Sequence, residues 1–275
     1  MLFADQINAA MKFRVISVRL LGRFLCWPLL VLAAVAGRAQ VTETPETVPA
    51  GHFLLKVDAL SIATNIHESA GGPSSVVAVG RSFLTAGLTS SLDVQVGADV
   101  FISQKFEQET PTDRNSGFGD LYLRAKWTFW RDGRSAVAFM PYVQLPTSTG
   151  DTGRRGLQGG VIVPWATYLP GGAEFRAMAQ VDLVRNAADD GYDASWTATA
   201  ALVQPLTSLL KFYGEATVGK TTNGLAWPGT PWAGTIGGGV QLHLASLYWW
   251  EFAVYRGIAR GAPGWNPVVR VNWGF

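Results

Sequence analysis

This chain has little of what most chemistry uses. It holds one cysteine, Cys26, and three histidines in 275 residues. Cys26 lies in an N-terminal apolar segment and lacks the small-residue setting of a lipoprotein cleavage site. Beyond that segment there is no thiol, which excludes a disulfide framework, a thiolate metal site and a cysteine nucleophile. Long apolar runs are also missing after residue 39, where nothing approaches the roughly 20 residues a helix needs to cross a bilayer. An excess of either charge is missing too. The whole chain carries +2, but residues 1–39 hold five of the basic side chains and one acid, leaving 17 basic and 19 acidic groups, a net of −2. Nucleic acid is therefore not expected as a partner, since that would need a clustered basic face. The histidines form no usable set. His52 and His243 fall near strand ends, and His67 sits in a loop beside Glu68 and Ser69 with no recognisable acid or oxyanion partner. No spacing of His and carboxylate suits a metal, so neither catalysis nor a cofactor is expected.

What is present at the N-terminus reads as an export signal. Met11 is a plausible start, followed by Lys12, Arg14, Arg19 and Arg23 and then the 13-residue apolar segment 24–36. That length suits a signal-peptide core and is too short to span a bilayer as a helix. Gly37 and Ala39 place small residues where signal peptidase reads, predicting residues 1–39 as signal peptide and Gln40 as the mature start. Residues 40–51, QVTETPETVPAG, are a polar, proline-containing lead-in. They read as a loose periplasmic tail or a short segment tucked into a lumen, ahead of a single domain over 52–275.

The hydropathy of that domain is dispersed with period 2. Leu92, Val94, Val96, Ala98, Val100 and Ile102 share one face against Asp93, Gln95, Gly97, Asp99 and Ser103. Leu121, Leu123, Ala125, Trp127 and Phe129 oppose Asp120, Tyr122, Arg124, Lys126 and Thr128. Phe175, Ala177, Ala179, Val181 and Leu183 oppose Glu174, Arg176, Met178, Gln180 and Asp182. Phe212, Gly214, Ala216 and Val218 oppose Lys211, Tyr213, Glu215 and Thr217. Charges kept to one face predict strands with an apolar side and a polar side. The pattern predicts twelve strands: 53–64, 75–88, 92–104, 119–130, 135–146, 157–168, 173–184, 193–204, 209–220, 232–244, 247–256 and 266–275. Most suit a tilted bilayer crossing and are long for a globular domain. Short and long connections alternate, as expected of tight turns on one side of a membrane and loops on the other. Aromatics sort to strand ends: Trp127, Trp130, Trp165, Tyr168, Trp249, Trp250 and Trp273 at one level, Tyr192, Trp196, Trp227, Trp232, Tyr255 and Trp265 at the other. Val271, Trp273 and Phe275 give the last strand an apolar face ending on an aromatic, the pattern read by the barrel-assembly machinery. The fold class that follows is all-β, a transmembrane antiparallel up-and-down barrel of about twelve strands with both termini periplasmic.

The inward face is polar and of mixed charge. Asp99, Asp120, Arg124, Lys126, Glu174, Arg176, Lys211 and Glu215 are the candidate lumen-lining residues, with Asp58, Asp93, Lys56, Asp182, Glu251 and Arg270 beside them. Such a set either forms cross-strand ion pairs or lines a watery passage. The number of charges favours a narrow passage. Loop acids such as Glu107, Glu109, Asp113, Asp189 and Asp190 could meet divalent cations or lipopolysaccharide, though solvated loop charge is the simpler reading.

Two stretches, GFGDLYLRAKWTFW over 117–130 and MPYVQLPTSTGD over 140–151, resemble an outer-membrane transporter group, the MetA-pathway of phenol degradation family. The resemblance rests on a Gly-x-Gly-Asp lead-in to a strand, here Gly117, Gly119 and Asp120. A Leu-Pro-Thr stretch closes the next strand, here Leu145, Pro146 and Thr147, with Gly150 displaced by a Ser-Thr insertion. It extends loosely over residues 50–275. It implies a monomeric or weakly associated barrel that helps small, often aromatic or hydrophobic, compounds cross the outer membrane, and it implies no catalytic residues. The expectation is a barrel in the bacterial outer membrane, in contact with lipid and lipopolysaccharide, that passes small solutes. The alternatives are a non-conducting structural or surface-binding barrel and, more remotely, an outer-leaflet lipid hydrolase dependent on His67.

Protein recovered from outer membranes is expected to begin at Gln40 by intact-mass measurement. A chain retaining residues 24–36 would overturn the signal-peptide reading.

Overall fold

The computed structural model describes residues 41–64, 75–106, 113–150, 152, 156–186, 190–221, 232–258, 262 and 264–275. The expected signal peptide, His67, Ser69, Glu107, Glu109, Asp189 and Trp227 lie outside them. The described residues form one antiparallel sheet. Its strands are β1 (Phe53–Ala63), β2 (Ser75–Gly87), β3 (Leu92–Phe106), β4 (Asp113–Gly117), β5 (Leu121–Arg131), β6 (Ser135–Leu145), β7 (Gln158–Tyr168), β8 (Glu174–Arg185), β9 (Tyr192–Pro205), β10 (Leu210–Thr221), β11 (Ala233–Ala245), β12 (Tyr248–Gly257) and β13 (Asn266–Gly274). Except that β4 and β5 both pair with β3 rather than with each other, consecutive strands pair, and β1 pairs with both β2 and β13, so the sheet closes. At the seam, Phe53 N–H donates to Phe275 O at 2.8 Å and Phe275 N–H to Phe53 O at 3.0 Å, with the two rings stacked 5.5 Å apart.

Strands β4 and β5 both pair with β3, one above the other, so they are two parts of one staved wall element. Counted so, the barrel has twelve strands. The strand expected to begin at 119 instead has a partner piece upstream, and the break has a steric cause. Gly119 N–H donates to Asp99 O at 2.8 Å, and a Cβ on Gly119 would stand 2.5 Å from Asp99 Cβ. The backbone here leaves the ladder to pass over Asp99.

The two family-like stretches meet at this break. Phe118 N–H and Leu121 N–H donate to the Thr149 and Thr147 hydroxyls, each at 3.0 Å. Thr149 N–H returns a bond to Phe118 O at 2.9 Å, and Ser148 N–H donates to Asp120 Oδ1 at 3.0 Å. Gly117 and Gly150 lie where any side chain would strike the opposite backbone, at 2.3 Å from Thr149 O and 2.1 Å from Ser116 O, and Gly150 has φ +65°. The Gly-x-Gly-Asp and Leu-Pro-Thr patterns are thus the two halves of one interlock.

Exposure follows the period over most of the wall. Leu84, Val94, Val96, Leu123, Phe139, Val163, Leu202, Val218, Ile236 and Val254 point outward and are exposed. Asp93, Gln95, Thr128, Met140, Ile162, Met178 and Glu215 point inward and are buried. Outward aromatics at the short-turn end include Trp127, Trp130, Tyr168 and Trp273, and at the other end Tyr192, Trp196, Trp232 and Trp265. Two expectations are corrected. Tyr255, expected in the outer aromatic girdle, is 2% exposed and faces inward, where its hydroxyl donates to Glu215 Oε2 at 2.7 Å. Ile102, expected to face outward with Val94 and Val96, is buried, because Val100 and Phe101 are both exposed and the phase of β3 changes there. The cause lies opposite. Gly80 in β2 adopts φ +70° beside Val100, and pairing resumes from Arg81↔Asp99 to Val79↔Phe101 with β2 changing phase in step. β1 carries its own irregularity between Asp58 and Leu60.

Val96 lies in the outward apolar band with Leu84 and Leu123 paired across from it, whereas Leu88 is in the adjacent turn. Val96→Arg is expected to cost about 2–4 kcal/mol of folding stability in lipid vesicles and Leu88→Arg about 0–1 kcal/mol, by denaturant titration. Equal costs would contradict a lipid-facing exterior at Val96.

Candidate functional site

The lumen is occupied by the chain's own N-terminal segment. Residues 43–49, ETPETVP, contain two prolines, which remove donors and favour extended backbone over a hairpin. Its acceptors are then free for the wall. Running inward from β1, Val48 N–H donates to Asp93 Oδ2 at 3.1 Å on β3, and Pro45 O accepts from the Thr128 hydroxyl at 2.5 Å on β5. Lys126 Nζ donates to Glu46 O at 2.8 Å and Thr44 O at 3.2 Å, and Arg131 reaches Glu46 at 2.9 Å. The segment ends on the opposite wall. Glu215 of β10 accepts from Thr42 N–H at 2.5 Å and Val41 N–H at 2.9 Å, and the Thr42 hydroxyl meets that of Thr199 on β9 at 2.7 Å. β5 and β10 are on opposite sides of the ring in the strand order, so residues 41–48 cross the lumen. The wall is shaped for this passage. A Cβ on Gly87 would stand 2.1 Å from Pro49 O. Val41 packs against the inward cluster Met140, Ile162 and Met178, together with Tyr142.

Glu43 is the electrostatic centre of the segment. Its carboxylate lies 3.4 Å from Arg124 NH1 and 3.6 Å from Lys56 Nζ. Burial pushes this carboxyl up, but Lys56, Lys126, Arg124 and Arg270 outweigh burial and hold it at about 2, below its ordinary 4.5. Arg124 is also ringed by aromatics. Its Cζ is 4.0 Å from the Phe83 ring centroid and 5.7 Å from those of Tyr122 and Tyr142.

The eight residues singled out in the sequence all lie on the inward face, but in separate groups rather than one site. Arg124 and Lys126 join the segment, Lys126 also standing 3.8 Å from Asp93. Asp99 pairs with Arg81, and Asp58 with Arg270 at 2.5 Å. Glu174 and Arg176 pair with each other at 2.7 Å. Asp120 accepts from Gln144 at 2.8 Å within the interlock described above. Glu215 is shared by the segment and Tyr255, whose hydroxyl neighbours that of Tyr213, itself donating to Glu251 at 2.7 Å. Lys211 lies at the short-turn end of β10, opposite Gln241. Arg81 was missed because the phase change at Gly80 blurs the pattern of β2. Thr42, Glu43 and Glu46 were missed because a non-periodic segment carries no face; two acids spaced around a proline were the only signal. Among the described residues, no three His, Cys, Asp or Glu side chains converge as a metal site would require.

A depressed carboxyl stabilises the docked segment fully above its ordinary value near 4.5, and that contribution is lost as pH falls toward 2. A spin label at Thr47→Cys is therefore expected to be immobile at pH 5 and above and to gain a mobile component between pH 4.5 and 2. A spectrum unchanged down to pH 2 would count against Glu43 as the anchor.

Comparison with known proteins places the fold. The barrel is similar to an outer membrane channel from Pseudomonas putida F1, with a TM-score of 0.60 at 12% identity, covering 83% of this chain and 96% of that one. It is also similar to the NanC porin, with a TM-score of 0.52 at 12% identity, covering 80% of this chain and 97% of that one. No curated protein sequence matches the chain. The family described as "Putative MetA-pathway of phenol degradation" matches residues 36–265, and with most of its length matched the chain belongs to that family.

Proposed function

We propose that this protein is a bacterial outer-membrane channel that lets small solutes, among them aromatic or hydrophobic compounds, cross the membrane passively, and that residues 41–48 hold it in a plugged resting state. The observation that carries the reading is a closed barrel with an apolar exterior around a charged lumen crossed by one short, hydrogen-bonded segment. A purely structural barrel could fill its lumen with wall side chains; here the filler is a strand-free segment held by polar contacts that can be exchanged for water. The chain would reach the membrane through its cleaved signal peptide. The barrel-assembly machinery would read Val271, Trp273 and Phe275, of which Trp273 and Phe275 are exposed on the outer surface. Lipid and lipopolysaccharide would be its surroundings. No reaction is assigned. Asp99, Asp120, Arg124, Lys126, Glu174, Arg176, Lys211 and Glu215 would set charge preference through their local field.

The hydroxyl contact between Thr42 and Thr199 supplies a lock. In a planar bilayer, a Thr42→Cys/Thr199→Cys variant of residues 40–275 is expected to show discrete conductance steps when reduced and to fall silent when oxidised. Identical behaviour in both states would sink the plug. Neutralising Arg124, Lys126 and Arg176 together is expected to move the reversal potential in a salt gradient toward cation preference. A folded barrel that stays silent throughout would favour the non-conducting alternative, for which the many paired inward charges are the supporting observation.

A further inference from the structure

The place taken by Glu43 has the chemistry of a ligand site. The carboxylate bridges two cations from different strands, one oxygen toward Arg124 of β5 and the other toward Lys56 of β1. Neither contact is close, at 3.4 and 3.6 Å, and the buried Arg124 Nε has no hydrogen-bond partner among the described residues. The guanidinium therefore keeps a donor in reserve that the tethered Glu43 does not take. Around the cation stand three rings, with Phe83 and Tyr122 themselves 6.0 Å apart and tilted by 48°. Rings that flank a guanidinium also offer faces and edges on which another ring can pack. When the segment withdraws, Lys56 and Arg124 lose their acid together. Two cations left in a confined lumen without a counter-charge are costly, and an anion that replaces the carboxylate is correspondingly favoured.

We propose that Lys56, Arg124, Phe83, Tyr122 and Tyr142 form a binding site for small aromatic carboxylates, and that Glu43 occupies it as a built-in competitor. The incoming carboxylate takes the position of the Glu43 carboxylate on Arg124 and Lys56, free of the backbone tether and so able to use both edges of the guanidinium. Its ring packs among Phe83, Tyr122 and Tyr142. Solute and plug then exclude one another, so that arrival of the solute favours release of the segment in proportion to the difference in affinity between plugged and unplugged states. This rests on the channel reading for its purpose, though not for its binding chemistry.

The test is calorimetric titration of the refolded mature chain in detergent micelles with benzoate, benzamide and cyclohexanecarboxylate. Benzoate is expected to bind Glu43→Gln at least about tenfold more tightly than the parent protein, a difference of about 1.4 kcal/mol. Benzamide, neutral and of the same shape, should show no such gain, and cyclohexanecarboxylate should bind more weakly than benzoate. Arg124→Met in the Glu43→Gln background should abolish the gain; if that variant loses the heat-modifiable gel shift of a folded barrel, Lys56→Gln tests the same point. Equal binding of benzoate and benzamide, or no gain in Glu43→Gln, overturns the proposal. Bilayer conductance on the same samples separates the two readings. Conduction without benzoate selectivity removes the site and leaves the channel, whereas selective benzoate binding by a silent barrel leaves the site and removes the channel.

Discussion

In hydrocarbon, every backbone N–H and C=O needs a partner within the protein. For strands this means that the first must meet the last, and the paired bonds between Phe53 and Phe275 at the β1–β13 seam meet that demand. Much else follows from closure. A closed sheet has an inside and an outside, and a period of 2 assigns alternate side chains to each. Apolar residues can then face outward without a soluble core, which explains the many large exposed hydrophobics that would be a liability in a water-soluble protein. Polar residues turn inward, where they must find partners.

Those partners come from two sources. Some are on the wall itself, across neighbouring strands in Arg81–Asp99 and Arg270–Asp58 and within β8 in Arg176–Glu174. Others are on the chain's own leading segment, which supplies carbonyls to Lys126 and Thr128, a carboxylate to Arg124 and Lys56, and amides to Glu215 and Asp93. The second kind is reversible in a way the first is not. Strand neighbours are fixed by the ladder, whereas a proline-bearing segment with no ladder of its own can exchange its contacts for water or for a solute. The lumen thus combines permanent pairs, which keep the wall in shape, with exchangeable ones along the path of the segment.

The interlock of residues 117–121 with 147–150 serves the rim away from the short turns. Glycine at 117, 119 and 150 lets three backbone stretches approach more closely than side chains would permit. Threonine hydroxyls and Asp120 then satisfy the amides that leave the ladder. What reads in one dimension as two separate motifs is one contact in three. Asp120 is best understood in this light: its oxygens are engaged in holding Ser148 and Gln144, which sets it apart from inward acids that face the segment.

The sequence by itself determined the barrel, because period, turn length and aromatic placement are local properties that each strand expresses without its neighbours. The strand positions, the inward placement of all eight candidate residues and the outward face of the last strand were legible on those grounds. The tertiary structure decided everything that depends on what stands across the lumen. The phase change in β2 and β3 arises from Gly80 meeting Val100, two residues on different strands. Tyr255 shares the inward face of Glu251 and Ala253, and the closed sheet brings its hydroxyl to Glu215 and Tyr213. Thr42 finds Glu215 at a separation of 173 residues. No periodicity encodes such a meeting, since the segment has no regular structure and its partners become neighbours only once the sheet has closed around it.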